Sequence, residues 1–216
     1  MASMQEAGTL EVPAKGTWTM DPNHTRVGAV ARHLMVTKVR GEFKVFEGAI
    51  HVADRPEDSW AEMTIDAASI DTGVQDRDNH LRSADFLDVE TYPQLTYRST
   101  KVERTGEATL RMTGDLTIRD MTRPVVLDVT YEGMAEDPWG VTKAAFTATG
   151  ELEREDWGMT WNVTLEKGGV LVSKKLQLEI EVQAVRQAKE AERSAEAETK
   201  PEGEAQREAD ESHEPN

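Results

Sequence analysis

The chain lacks cysteine, so disulfides, thiolate metal sites and thiol nucleophiles are all excluded. It lacks any apolar run approaching about eighteen residues, and no transmembrane helix is expected. Its first residues, MASMQEAGTLEVPAKG, hold no apolar stretch behind a basic start, so nothing reads as a secretion signal and a cytoplasmic protein is expected. No serine stands between glycines on a sharp turn, as a serine hydrolase would want. No two histidines lie at the spacing of roughly three or four residues that puts zinc ligands on one helical face, so neither a metal site nor a cofactor is read.

Positive charge is scarce as well, with 25 Lys and Arg against 41 Asp and Glu and a formal net charge of −16. From Lys189 onward ten acids face four bases, so that stretch holds −6 and the remainder of the chain −10. This balance argues against nucleic acid or an anionic membrane surface as a partner for the protein as a whole. Large apolar groups are nearly missing from roughly the last thirty residues, which explains much of the low hydrophobic content of 38%. The expected layout of the 216 residues is a flexible leader over 1–15, one domain over 16–186, and a disordered acidic tail over 187–216.

What remains is rich in alternation. Gly16 to Met20, Trp60 to Ala67, Leu95 to Val102, Ala108 to Ile118, Val141 to Leu152 and Val170 to Val185 all read as strands. Val39 to Ile50 reads as one long strand with Val39, Gly41, Phe43 and Val45 on one face, and Pro124 to Tyr131 follows a corner at Arg119–Arg123. Thr25 to Met35 fits either a strand or a short helical face. About eight antiparallel strands with turns between them indicate a sandwich or an up-and-down barrel, and the strand lengths favour the barrel, whose closure removes exposed edges.

One stretch breaks the pattern. Gln75 to Pro93, QDRDNHLRSADFLDVETYP, is neither strand-like nor low in complexity. Asp76 to Ala84 reads as one or two helical turns capped by Asp76, with Leu81 as an apolar anchor, followed by Phe86, Leu87 and a helix-blocking Pro93. An all-β chain spends about twenty residues on a connection of this kind to close a barrel end or to build a site.

The blocks around Trp18, Asp21, His24 and Thr25, then Arg32 to Met35, Val39 to Phe43, Ile70 to Gly73, Arg77 to Phe86, Tyr92 and Pro93, Gly114 to Ile118, Thr122 to Val125, and Arg154 to Met159 resemble, in order, those of the YceI-like family. The resemblance covers about Gly16 to Val185. It implies an all-β, lipocalin-like antiparallel eight-stranded barrel with one or two short helices, whose elongated apolar cavity holds a polyisoprenoid or similar long-chain lipid. It implies no catalysis, and it allows a homodimer. The chain departs from the family pattern at Thr25, where serine is usual, at Ala29, where an aromatic residue is common, at Asp120, where glycine is usual, and at Trp157, where phenylalanine is usual.

On that resemblance the apolar candidates for the cavity are Val27, Val30, Leu34, Met35, Phe43, Met63, Ile65, Phe86, Leu116 and Trp157, each of which also reads as ordinary packed core. Donors for a lipid head group are His24, His33, Arg40, Arg77, His80 and Arg82, since arginine presents a planar fork to phosphate and histidine a donor near neutral pH. For Arg77 and Asp78 a structural ion pair or cap is the stronger reading. The expected function is to carry, store or sense an isoprenoid quinone or polyprenyl phosphate. The alternatives are an enzyme acting on a small amphiphile through the His24, His33 and His80 region, and an interaction module using the acidic tail.

Overall fold

The computed structural model describes residues 13–166 and 168–187, so most of the expected leader and tail lies outside the described residues. The strands are β1 (Gly16–Met20), β2 (Arg26–His33), β3 (Thr37–Phe43), β4 (Phe46–Val52), β5 (Trp60–Asp66) and β6 (Ile70–Asp71). After the helix α1 (Gln75–Arg82) come β7 (Gln94–Arg104), β8 (Thr109–Ile118), β9 (Met121–Glu136), β10 (Thr142–Glu153) and β11 (Lys175–Arg186).

Pairing is antiparallel throughout and runs β1, β4, β5, β7, β8, β9, β10, β11, with β1 also pairing β11 to close the ring. This is an eight-stave barrel. Strands β2, β3 and β6 are not additional staves. They continue β1, β4 and β5 along the same edges, because β11 pairs first β2 and then β1, and β3 and β4 face the same two neighbours in succession.

The breaks have identifiable causes. Between β1 and β2 the chain turns out over Asp21–His24, and the Thr25 hydroxyl both donates to Gln183 O and accepts from Gln183 N at 3.2 Å. A side chain thus occupies the place of a backbone pair. Between β3 and β4, Lys44 N donates to Ser69 O and Val45 O accepts from Asp66 N. The long strand expected over Val39 to Ile50 is therefore two, and the parity flips there: Phe43 packs on the core, Val45 is 56% exposed, and Phe46 takes the inward place. The helical alternative for Thr25 to Met35 gives way to β2, whose residues are claimed by β11 and β3 on both sides.

Inward positions follow a period of two, as a one-sided buried sheet requires. On β9 these are Val125, Leu127, Val129 and Tyr131, and on β5 Ala61, Met63 and Ile65. The corner expected at Arg119–Arg123 is tighter than a corner: Ile118 pairs Met121 across a two-residue turn in which Arg119 has φ 58°. The closing strand starts at Lys175 rather than Val170. Residues 170–174 are held instead by bridges from Val170 to Thr164 and Val172 to His33, and by Asn162, whose amide brackets Val172.

The helix α1 starts at Gln75 after Val74, and Asp76 does not cap it. Asp78 does the pinning. It is buried, and its Oδ1 accepts from Thr72 N at 2.9 Å and from Thr72 Oγ1 at 2.5 Å. Arg77 donates to Thr72 Oγ1 and Thr72 O, and Arg82 to Ala68 O and Ile70 O, so the helix is stitched by polar bonds to the β5–β6 corner. Among the described residues no helix is long and apolar enough to cross a membrane.

Candidate functional site

The barrel interior is not filled by its own side chains. A cavity of about 760 Å³ runs along it, in the size range of small-ligand sites. Val27, Phe43, Met63, Ile65, Leu116, Leu127, Phe146 and Leu178 line its middle. At one end it is bounded by β2, α1 and the segment before β11, through Arg32, His33, Arg77, His80, Trp161 and Leu171. At the other end, past the ends of β4 and β7, stand His51, Asp54, Trp60, Arg104 and Glu107.

The α1 end carries an aromatic cluster. His80 meets Trp161 edge-on at 4.5 Å and Phe86 at 5.0 Å, while its Nε2 lies 3.0 Å from Asp85 Oδ2. Behind Phe86 lies Arg154, 2% exposed, with its guanidinium 5.8 Å from the ring centroid. Its Nε donates to Ser173 O at 3.0 Å and its Nη1 to Met159 O, while Nη2 has no hydrogen-bond partner among the described residues. Burial pulls its pKa below the usual arginine value. At mid-barrel the Tyr97 hydroxyl is likewise buried without a partner among the described residues, and burial, with the Asp115 charge second, pushes its pKa up to about 12.

Of the apolar residues expected at the cavity, Val27, Phe43, Met63, Ile65, Phe86 and Leu116 line it, and so does Ala29. Four do not. Val30 is buried on the other parity, its ladder partners being Gln177 and Arg40. Leu34 and Met35 are 46% and 51% exposed on the β2–β3 turn, which overhangs the barrel. Trp157 is packed in the core, its indole N–H donating to Leu116 O.

Of the expected head-group donors, His33, Arg77 and His80 border the cavity. His24 is paired with Asp21 at the β1–β2 break, and Arg40 reaches Glu179 on the outer face. Arg82 is spent on two backbone carbonyls, and Arg77, though bordering the cavity, is spent on Thr72. The three histidines are thus not brought together: His33 and His80 share one end and His24 stands apart. Among the described residues no three His, Asp or Glu side chains are grouped as metal ligands would be. Arg154 and Tyr97 escaped the sequence reading. Parity would have found both, since Arg154 continues the inward series Ala144, Phe146, Ala148, Leu152 of β10, and Tyr97 follows Leu95 on β7.

The YceI-like domain family matches residues 18–184. The chain belongs to that family. A UPF0312 protein of Pseudomonas putida is 38% identical over 165 residues, covering 76% of this chain and 82% of that protein. Protein YceI of Salmonella newport is 36% identical, covering 76% and 83%. Among solved structures, the Campylobacter jejuni YCEI protein is 27% identical with a TM-score of 0.63, covering 87% of this chain and 99% of that one. Burkholderia cenocepacia BcnA, at 24% identity and a TM-score of 0.64, covers 76% and 98%. A polyisoprenoid binding domain from Saccharophagus degradans, at 13% identity and a TM-score of 0.61, covers 79% and 98% and shares the fold.

Proposed function

We propose that the barrel binds a long-chain amphiphilic lipid of the polyisoprenoid type, an isoprenoid quinone or a polyprenyl phosphate, and acts as its carrier, store or sensor without transforming it. The observation that carries this reading is the cavity itself: about 760 Å³, running the length of the barrel, with an apolar middle and polar groups gathered at its ends. A prenyl chain laid along such a wall gains roughly 0.8 kcal/mol per methylene-sized group buried, so affinity needs no specific polar contact along the tail. The similarity to a polyisoprenoid binding domain supports the same reading. Our candidates for the head group at the α1 end are His33 and His80, which border the cavity there, His80 with its Nε2 already beside Asp85, while Arg77 and Arg82 hold the helix that frames it.

Catalysis on a small amphiphile would need convergent acid and base groups within hydrogen-bond reach, and the separation of His24 from His33 and His80 weighs against it. Native mass spectrometry of the purified protein, followed by solvent extraction, tests the binding reading. A species with a long prenyl or acyl chain is expected. A protein that yields none and fails to take up added polyprenyl phosphate or quinone would remove it. Met63→Arg and Phe43→Arg place a charge in the cavity wall and are expected to abolish uptake. The homodimer and the cytoplasmic location belong to the same proposal and are tested by analytical ultracentrifugation and cell fractionation.

A further inference from the structure

The turn between β2 and β3 is unlike the rest of the surface. Residues 32–38, Arg-His-Leu-Met-Val-Thr-Lys, are all exposed, and at the tip Leu34, Met35 and Val36 stand 46%, 51% and 76% open. Leu34 and Met35 both hold left-handed backbone, φ 52° and 60°, a region that large side chains seldom occupy outside functional or strained turns. The tip is tied to the neighbouring segment, since Leu34 N donates to Leu171 O and Leu171 N to Val163 O, and Val163 is itself 45% exposed.

Charge is equally local. The chain carries 41 acids, yet none falls between Asp21 and Glu42, where Arg26, Arg32, Lys38 and Arg40 all lie. Arg32 and Lys38 face each other in the ladder directly behind the tip, and neither makes an ion pair with a carboxylate among the described residues. The exposed acids on the flanking elements are Asp71 on β6, Asp76 on α1, Glu166 before β11, and Glu179 and Glu181 on β11, of which Glu179 is paired with Arg40. Arg32 and His33 also border the end of the cavity, so the apolar tip overhangs its mouth.

We propose that the β2–β3 turn docks the barrel on an anionic lipid bilayer, with Leu34, Met35 and Val36 entering the head-group boundary and Arg32 and Lys38 meeting lipid phosphates. An apolar insertion edge backed by unpaired cations is the chemistry that holds interfacial segments on such surfaces. The chain's overall negative charge does not oppose this at physiological salt, because screening over about 8 Å leaves a surface to feel mainly the charges facing it. The inference rests on the lipid-cavity reading for its purpose, the passage of a lipid between bilayer and barrel, but not for its geometry.

Flotation of the full chain with vesicles of phosphatidylcholine mixed with phosphatidylglycerol, at physiological salt, tests it. Wild type is expected to float. Leu34→Asp combined with Met35→Asp is expected to weaken flotation by about ten-fold or more, and Arg32→Glu with Lys38→Glu to reduce it to the level seen with phosphatidylcholine alone. Met63→Arg is expected to float as wild type while failing to take up lipid, so loss of the cavity reading and loss of docking are separable. Circular dichroism confirms that each variant is folded. Three results would overturn the proposal: wild type that stays with the aqueous fraction, wild type that floats equally with neutral vesicles, or a folded tip variant that floats unchanged. Ultracentrifugation in which the tip variant converts a dimer to monomers, with wild type not floating, would assign the tip to a second copy of the chain instead.

Discussion

From β7 to β11 the barrel consists of five strands that each run a whole stave, with register shifts only at Ser99/Lys101 and Ala145/Phe146, whereas between Gly16 and Asp71 each of the three staves is broken once. The breaks are closed by side chains and short turns: the Thr25 hydroxyl on Gln183, Ser69 beside Lys44, and Asp66 Oδ1 accepting from Ala68 N. Backbone ladders tolerate most sequences, while a side-chain closure depends on one group at one place. The broken half also carries the β2–β3 turn and the corner that holds α1, so the irregular side of the barrel is the side that frames the cavity mouth.

If this contrast is right, polar deletions in the two halves will differ in cost. The largest loss is expected for Asp78→Ala, about 3 kcal/mol by denaturant unfolding, because Thr72 N and Thr72 Oγ1 lose their acceptor inside the corner that anchors α1. Next comes Tyr97 in the continuous half. Its phenol titrates near 12 in the folded state against about 10 when unfolded, so the native state binds the proton more tightly. Stability is then unaffected below pH of about 10 and falls, by about 2 kcal/mol, as pH rises toward 12. Ultraviolet titration should show a late-ionising phase that is lost in Tyr97→Phe, and a titration curve unchanged in that variant would sink this assignment.

A smaller effect, about 1 kcal/mol, is expected for Thr25→Val, which keeps the shape and removes the hydroxyl that stands in for a ladder pair. Thr25→Ser should come close to wild type. The smallest is expected for Arg111→Ala, whose partner Asp128 lies across two continuous strands and is well exposed, below about 0.5 kcal/mol. Equal costs for Thr25→Val and Arg111→Ala in the same melting series would erase the distinction between the halves.

The same contrast governs what could be read ahead of the structure. In the continuous half, alternation located the strands, though not the full extent of β9 or the start of β11, and it gave faces only relative to one another, a relation that the register shifts at Ser99/Lys101 and Ala145/Phe146 reverse. In the broken half the decisive events were changes of partner. Val45 and Phe46 are both hydrophobic, and nothing in their order tells which one faces inward once Ser69 interrupts the stave. Asp76 looked like the cap, yet the buried acid is Asp78, because the helix begins one residue earlier and the loop folds Thr72 back onto it. On the resemblance Leu34 and Met35 read as cavity residues, whereas the left-handed turn leaves both exposed. Arg154 lies in a family-like block and its parity points inward, yet a buried guanidinium without a carboxylate is a rare arrangement that composition does not signal.

An interior with room for about 760 Å³ of foreign matter also has a volumetric consequence. Compression favours whichever state eliminates voids, so the volume change of unfolding scales with the space that the chain's own atoms do not fill. If the cavity holds the lipid proposed above, a lipid-loaded sample should withstand hydrostatic pressures that unfold a delipidated one. A compression series on the two would weigh, from the protein's side, how completely the ligand serves as the missing part of the core.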